Sequence, residues 1–90
     1  MTGELRPSPD VVFERLEGET VLVHLRTNRI YSLNRTGTRV WELLGEGLDR
    51  GQVLAQLERE FDVARDELER EMDSLLGQLS AEGLVSADES

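Results

Sequence analysis

The chain has 90 residues and carries 10 basic and 19 acidic side chains, for a formal net charge of −9 at pH 7. It contains no cysteine, which excludes disulfides, thiolate metal sites and a cysteine nucleophile. No apolar run approaches the ~18 residues of a transmembrane helix, and the N-terminus lacks a signal-peptide pattern. We therefore expect one small cytoplasmic domain with no membrane contact.

The charge is divided unevenly along the chain. Residues 1–40 hold six Arg and five acids, for +1, whereas residues 41–90 hold four Arg and fourteen acids, for −10. The acidic half is also the half in which helices are predicted, and its field repels phosphate and attracts cationic peptide. Charge runs of this kind most often mark a solvated helical surface.

The first part of the chain predicts an antiparallel meander of three strands. Residues 1–10 are polar, contain two prolines and are predicted to form a flexible arm. Alternating and β-branched residues then favour half-buried strands. Gly18 and Asn28 suit the tight turns between them, because both tolerate positive φ. The strands are predicted over residues 11–16, 20–26 and 29–33, the last of them at an edge of the sheet.

The second part of the chain predicts three helices. Asn34 or Thr36 can cap the first helix and Asp49 the second. Gly83 ends the third, and Gly77 inside it costs roughly 1 kcal/mol relative to Ala, so we expect close packing or a bend there. The inner stripes of the helices are predicted to be Val40, Trp41 and Leu44, then Val53, Leu54, Leu57 and Phe61, then Leu68, Met72, Leu75 and Leu79.

Three strands followed by three helices make an α+β, winged helix-turn-helix-like domain. We place this domain over residues 11–85, after the arm and before a C-terminal tail over residues 86–90. Leu84 and Val85 are expected to fold back onto the core.

The residues that could act in catalysis form no recognisable catalytic arrangement. His24 is the only histidine, and without Cys or a second His a transition-metal site is not expected. Its imidazole is predicted to face solvent or to be satisfied within the sheet. The carboxylate pairs Glu67/Glu71 and Glu69/Asp73 lie one helical turn apart, which on so acidic a helix indicates solvent-facing repulsion more often than acid–base chemistry. We expect neither an enzyme nor a cofactor.

The third predicted strand supplies a candidate peptide-binding surface. An edge strand presents unpaired N–H and C=O groups with which an added peptide strand can pair. A groove between this strand and the third helix would have an apolar floor and an acidic lip of Glu69 and Asp73. Patterning alone favours the plainer alternative, in which the apolar members belong to the core. The candidate residues are Arg29, Ile30, Tyr31, Ser32 and Leu33 on the strand, and Leu68, Glu69, Met72, Asp73, Leu75 and Leu76 on the helix.

One stretch carries a resemblance to a known family. The run Tyr31-x-Leu33-Asn34-x-Thr36-Gly37-x-x-Val40-Trp41-x-Leu43-Leu44 resembles the signature of the PqqD-like family. That family comprises recognition elements of ribosomally synthesised and modified peptides (RiPPs), small domains that bind the leader of a precursor peptide. Phe61-Asp62-Val63 and Glu82-Gly83-Leu84-Val85 are also similar to family positions. The resemblance implies that the leader binds between the third strand and the third helix.

The resemblance therefore implies a non-catalytic module that captures a precursor leader and delivers it to a maturation enzyme. The small size and the Arg-rich hairpin look most like the discrete leader-binding protein of lasso-peptide biosynthesis. Its partners would be the precursor peptide and a separate cysteine protease that removes the leader. The alternative within the family is a pyrroloquinoline-quinone-type peptide chaperone for a radical enzyme.

Two alternatives lie outside the family: a winged-helix DNA-binding protein and a structural interaction domain without a peptide ligand. DNA binding depends on neutralising phosphates, and the third helix, where such folds read DNA, is acidic. We accordingly expect no nucleic-acid partner. The sequence leaves the oligomeric state open, with a weak homo-oligomer among the alternatives.

Overall fold

The structure, a computed structural model, describes residues 5–87. These residues form an α+β fold in which a three-stranded antiparallel sheet is followed by three helices. A short strand near each end of the described chain forms a second, two-stranded sheet. The elements are β1 (Leu5–Pro7), β2 (Val11–Leu16), β3 (Glu19–His24), β4 (Arg29–Leu33), α1 (Arg35–Gly45), α2 (Arg50–Glu60), α3 (Arg65–Ala81) and β5 (Val85–Ala87).

The larger sheet has the order β2-β3-β4, as the meander predicts. Gly18 and Asn28 take positive φ, 87° and 62°, in the two connecting turns. β3 ends at His24, two residues before the predicted end of that strand. Here the chain already turns, because the Asn28 amide donates to the His24 carbonyl over 2.7 Å and the Arg26 amide donates to His24 Nδ1 over 3.2 Å. His24 is buried, so the prediction of a solvent-facing imidazole was wrong, and its Nδ1 is satisfied by the turn that follows β3.

The helices cover one face of this sheet and enclose the core with it. Asn34 caps α1 by accepting from the Gly37 amide, and Asp49 caps α2 in a capping box with Gln52, so both predicted caps form. The predicted inner stripes are buried except for Phe61 and Leu75, which pack against the core from its margin. The largest fully buried side chains include Leu22, Leu43, Leu54, Leu57, Leu68, Met72 and Leu79.

The smaller sheet corrects the predicted flexible arm over residues 5–7. β1 pairs antiparallel with β5, with Leu5 opposite Ala87 and Pro7 opposite Val85. The pairing follows the burial of Leu84 and Val85, which fold back onto the core as predicted and carry a strand to the N-terminal segment. The polarity of residues 1–10 does not indicate a strand partner about eighty positions away in the chain. The local pattern therefore predicted a loose arm. Residues 1–4 of the arm and 88–90 of the predicted tail lie outside the described residues.

Candidate functional site

The outer edge of β4 carries no strand among residues 5–87. The sheet order ends at β4, and the last strand of the described chain, β5, pairs with β1 instead. β4 therefore presents one row of backbone groups to whatever lies beside it, as the sequence analysis predicts for the third strand.

Two polar contacts join β4 to α3 and to Glu82, the C-cap residue that follows it. The Tyr31 hydroxyl donates to Gln78 Oε1 over 2.7 Å, and Arg29 Nε lies 3.1 Å from Glu82 Oε1. Two residues of a strand advance about 6.6 Å and four residues of a helix about 6 Å, so the two contacts form matching rungs. The strand and the helix consequently run antiparallel, and their separation is fixed at the Arg29 end.

Beyond these rungs the strand and helix enclose open space. One cavity, of about 290 Å³, lies between β4, the start of α1 and α3, and a second, of about 380 Å³, continues between α1 and α3. Asn34, Gly37, Leu75 and Gln78 line both. We call the combined space the β4–α3 groove. Its other lining residues are Ile30, Tyr31, Ser32 and Leu33 on β4, Thr36 and Val40 on α1, and Arg70, Glu71, Met72 and Ser74 on α3.

The Leu33-Asn34-x-Thr36-Gly37 stretch builds the corner at the middle of the groove. Asn34 Oδ1 accepts from the Gly37 amide over 2.8 Å and starts the helix directly after the strand. A Cβ on Gly37 would lie 3.3 Å from both Asn34 Oδ1 and Leu33 Cβ, closer than side chains ordinarily pack. Glycine at this position lets α1 approach β4 closely enough for both to border one groove.

The structure brings most of the predicted strand residues to the groove. Ile30, Tyr31, Ser32 and Leu33 line it, and Arg29 lies at its closed end, paired with Glu82. Their exposure differs: Ile30 is 69% exposed and Leu33 only 2%, so Leu33 belongs to the core as much as to the groove.

The predicted helix residues divide into two groups. Leu75 and Met72 line the groove, although Met72 is almost fully buried and contributes floor rather than open surface. Leu68 is buried in the core and Leu76 packs against it, and neither lines the groove. For these two, the plainer interpretation as core residues agrees with the structure.

The predicted acidic lip is corrected by the structure. Asp73 and Glu69 lie towards α2, where Arg50 NH2 is 2.8 Å from Asp73 Oδ1 and 3.9 Å from Glu69 Oε2. At 100° per residue these acids fall on the side of the helix opposite Glu71. Glu71 is the acid that lines the groove, with Arg70 beside it.

Sequence reasoning missed the polar residues of the groove. Glu71, Ser74 and Gln78 follow the i, i+3, i+7 spacing of one helix face, immediately beside the apolar stripe. Reasoning that looks only for apolar residues misses these three polar ones, although their spacing indicates that they share one face of the helix. Asn34 and Gly37 were noted as a cap and as part of a motif but not as lining residues.

The marked pKa shifts lie away from the groove, between α1 and α2. The Arg39 guanidinium donates to both oxygens of Glu60, with Nε 2.8 Å from Oε1. These hydrogen bonds hold the pKa of the Glu60 carboxyl below its usual value and raise the pKa of Arg39. The pair ties two helices together and has no part in the groove.

Within residues 5–87, acidic and histidine side chains form no cluster of three that would hold a metal ion. The same residues contain no helix with the length and apolarity needed to cross a membrane.

Two solved structures match the chain over nearly its full length. TbiB1 in complex with the TbiA(beta) leader peptide is 29% identical, with a TM-score of 0.85, and the match covers 94% of this chain and 99% of that one. Lasso peptide synthetase B1 complexed with the leader peptide is 25% identical, with a TM-score of 0.82, covering 92% and 98%. No curated protein matches the chain.

The sequence also matches a family profile. Residues 19–85 match the profile described as coenzyme PQQ synthesis protein D. The match spans most of the chain and includes β3, β4, all three helices and the β4–α3 groove. This agrees with the resemblance of the Leu33–Gly37 stretch, and the chain belongs to the PqqD family.

Proposed function

We propose that this protein binds the leader of a ribosomally synthesised precursor peptide and delivers it, without catalysis, to a maturation enzyme. The observation that carries the proposal is the edge of β4, unpaired among residues 5–87, which runs beside the β4–α3 groove. A peptide added at this edge gains main-chain hydrogen bonds from Arg29–Leu33. Every second side chain of an added strand points to the same face, so alternate leader residues would enter the groove.

The groove offers distinct chemistry along its length. Leu75, Met72 and Val40 provide apolar surface for anchoring side chains, while Glu71 and Gln78 provide a carboxylate and an amide at the margin. Such a mixture suits a leader with a few apolar anchors and polar or basic residues between them. Both structural neighbours described above are complexes with leader peptides, which supports this occupant.

The maturation enzyme is the finer part of the proposal. The similarity to lasso peptide synthetase B1 favours a separate leader peptidase, the cysteine protease expected from the sequence. The family description, coenzyme PQQ synthesis, supports a second candidate, a peptide chaperone for a radical enzyme. Cleavage of the precursor by a leader peptidase, measured with and without this protein, separates them: the first candidate requires faster cleavage in its presence.

Leader binding is tested by titrating a fluorescent leader, taken from the precursor encoded beside this gene, with the full chain. We expect a Kd of about 1 µM or tighter, corresponding to ~8 kcal/mol or more. Ser74→Trp fills the groove from α3 and should weaken binding at least roughly tenfold. Ser80→Trp is the matched control, because Ser80 is also exposed on α3 but does not line the groove.

Two outcomes would contradict the proposal. One is a titration that does not saturate with a folded protein. The other is a Ser74→Trp variant that binds the leader as tightly as Ser80→Trp. Binding of duplex DNA in the same format, weakened by salt, would instead support the DNA-binding alternative.

A further inference from the structure

The turn between β2 and β3 fixes the direction of the main-chain hydrogen bonds across the larger sheet. Glu17 and Gly18 both take positive φ, 52° and 87°, which is the geometry of a type I′ turn. The residues that flank this two-residue turn, Leu16 and Glu19, lie opposite each other and exchange both of their main-chain hydrogen bonds. Because bonded and non-bonded pairs alternate, odd-numbered residues of β3 direct their main-chain groups to β2 and even-numbered residues direct theirs to β4.

Two hydrogen bonds at the other end of β3 agree with this alternation. The amide of Leu25, an odd-numbered residue, donates to the Asp10 carbonyl over 2.8 Å, on the side of β2. The carbonyl of His24, an even-numbered residue, accepts from the Asn28 amide over 2.7 Å, on the side of β4. The same register therefore holds along the whole length of β3.

Ile30 and Ser32 are the residues whose main chain faces the unpaired edge of β4. Even-numbered residues of β3 lie opposite odd-numbered residues of β4, so Arg29, Tyr31 and Leu33 direct their main-chain groups to β3. Ile30 and Ser32 each direct one N–H and one C=O outward, and no strand among residues 5–87 pairs with them there. A strand added at this edge bonds to these two residues of β4.

The side chains of the same two residues point to the face of the sheet away from the helices. Ile30 lies opposite Val23, and directly opposed residues share a face. Ser32 lies opposite Val21 on that same face. The buried residues of β3 are its even-numbered ones, so the odd-numbered valines point away from the core. Ile30 is nevertheless the most exposed large hydrophobic side chain among residues 5–87, and the core does not account for it.

We propose that Ile30 is a second recognition point for the leader, on the opposite face of the sheet from the β4–α3 groove, and that it selects an apolar leader residue. This inference rests on the proposed leader binding. The leader residue that bonds to the main chain of Ile30 lies directly opposite it, with the two Cβ atoms about 5 Å apart on the same face. Its side chain therefore packs on Ile30 and cannot enter the groove.

A row of residues across the sheet indicates the chemistry of that leader residue. Val12, Val23 and Ile30 lie opposite one another, one on each strand, and form an apolar row that ends at the β4 edge. A leader residue opposite Ile30 becomes the fourth member of this row, where an apolar side chain is favoured. The neighbouring row on this face ends at Ser32 and offers no such apolar contact. The leader should therefore carry an apolar, outward-facing residue next to the residue that enters the groove beside Tyr31.

The first test compares Ile30→Thr with Val12→Thr in the titration of the fluorescent leader with the full chain. Both substitutions replace an exposed, branched apolar side chain by threonine on the same face of the sheet. Val12 lies on β2, two strand spacings or about 10 Å away from β4. Ile30→Thr should weaken leader binding about threefold, as expected for loss of one apolar cross-strand pair, and Val12→Thr should leave the Kd unchanged. Thermal unfolding of each variant confirms that a loss of binding is not a loss of fold.

The second test identifies the leader residue that lies opposite Ile30. Each apolar leader residue is replaced by serine in turn and titrated against wild type and Ile30→Thr. At one position the two substitutions should be non-additive, because both remove the same contact. N-methylation of the leader at that position should weaken binding at least roughly tenfold, because its N–H donates to the Ile30 carbonyl. N-methylation of the residue on either side should cost less, because those N–H groups point away from β4.

Equal leader affinities of Ile30→Thr and Val12→Thr, with wild-type binding intact, would overturn this inference and leave the proposed leader binding standing. A leader residue that is coupled to Ile30 but tolerates N-methylation would also overturn it, since that residue would not be bonded to the main chain of β4. A wild-type titration that does not saturate would contradict leader binding itself, and the role of Ile30 with it.

Discussion

The hydroxyl of Tyr31 and the amide oxygen of Gln78 lie 2.7 Å apart, although the two residues are 47 positions apart in the chain. Together with Arg29 and Glu82, this pair fixes the distance between β4 and α3 at one end of the groove. Among the described residues, no such bridge crosses the other end, which opens into the two cavities. The groove therefore has a closed end and an open end.

Removing the Tyr31 hydroxyl should loosen the closed end. We expect Tyr31→Phe to lower the free energy of unfolding by about 0.5–1 kcal/mol, a modest value because both partners contact solvent. A double-mutant cycle with Gln78→Ala, measured by urea denaturation, isolates the contact from other effects of each substitution. Strictly additive effects would show that the hydrogen bond does not hold strand and helix together.

Alanine substitutions at Met72 and Leu75 should distinguish a core residue from a groove residue by their effects on stability and leader binding. Met72 is 1% exposed, so Met72→Ala should cost about 2–4 kcal/mol in unfolding free energy through the cavity it leaves. Leu75 lies at the margin, and Leu75→Ala should cost about 1 kcal/mol while weakening leader binding. Equal losses of stability, by chemical denaturation, would contradict this assignment.

The Arg39–Glu60 pair should give the fold a component of acid sensitivity. The pKa of Glu60 is lowered in the folded state, so its stabilising effect is fully present above the ordinary value of 4.5 and is lost as the pH falls through the folded pKa. The pair is on the surface, so we expect less than about 1 kcal/mol. Urea denaturation over a pH series should show Glu60→Gln and wild type converging at low pH. Arg39→Gln should cost more than Glu60→Gln, because Arg39 NH1 also donates to Glu42 Oε1 over 3.0 Å. A wild-type advantage that persists in acid would contradict the assignment.

Two glycines in helices should respond in opposite directions to alanine. Outside its chain neighbours and its own helix backbone, a Cβ at Gly77 meets no atom within 4 Å, so Gly77→Ala should raise the unfolding free energy by about 0.5–1 kcal/mol. A Cβ at Gly37 meets Leu33 and Asn34 at 3.3 Å, so Gly37→Ala should destabilise the fold and disturb the groove. Thermal unfolding of both variants, each the control for the other, checks the contrast.

Local chemistry predicted much of the fold. The capping residues Asn34 and Asp49 mark the starts of α1 and α2. The turn at Gly18 is predictable because glycine readily takes positive φ. Of the two expectations for Gly77, close packing was wrong, because no neighbouring element lies against the helix there. The other, a bend, stays a prediction. Helix propensity records the cost of a glycine and gives no indication of its surroundings.

The sequence predicted where the candidate site lies better than it predicted which residues line it. The order of the strands predicts that β4 lies at an edge of the sheet. Which side of α3 faces that edge depends on how the three helices pack. In the structure Glu69 and Asp73 lie on the other side, near Arg50. The β1 strand depends on a partner at the other end of the chain. Local patterns carry no information on contacts of that range.

The pairing of β1 with β5 has a consequence for how the protein is made. Leu5 is translated well before its partner Ala87, which lies 82 positions later in the chain. At about 5–20 residues per second, the first strand waits at least about 4 s before it can find the other half of its ladder. The meander and helices can assemble in that interval, so we expect this small sheet to close last during synthesis.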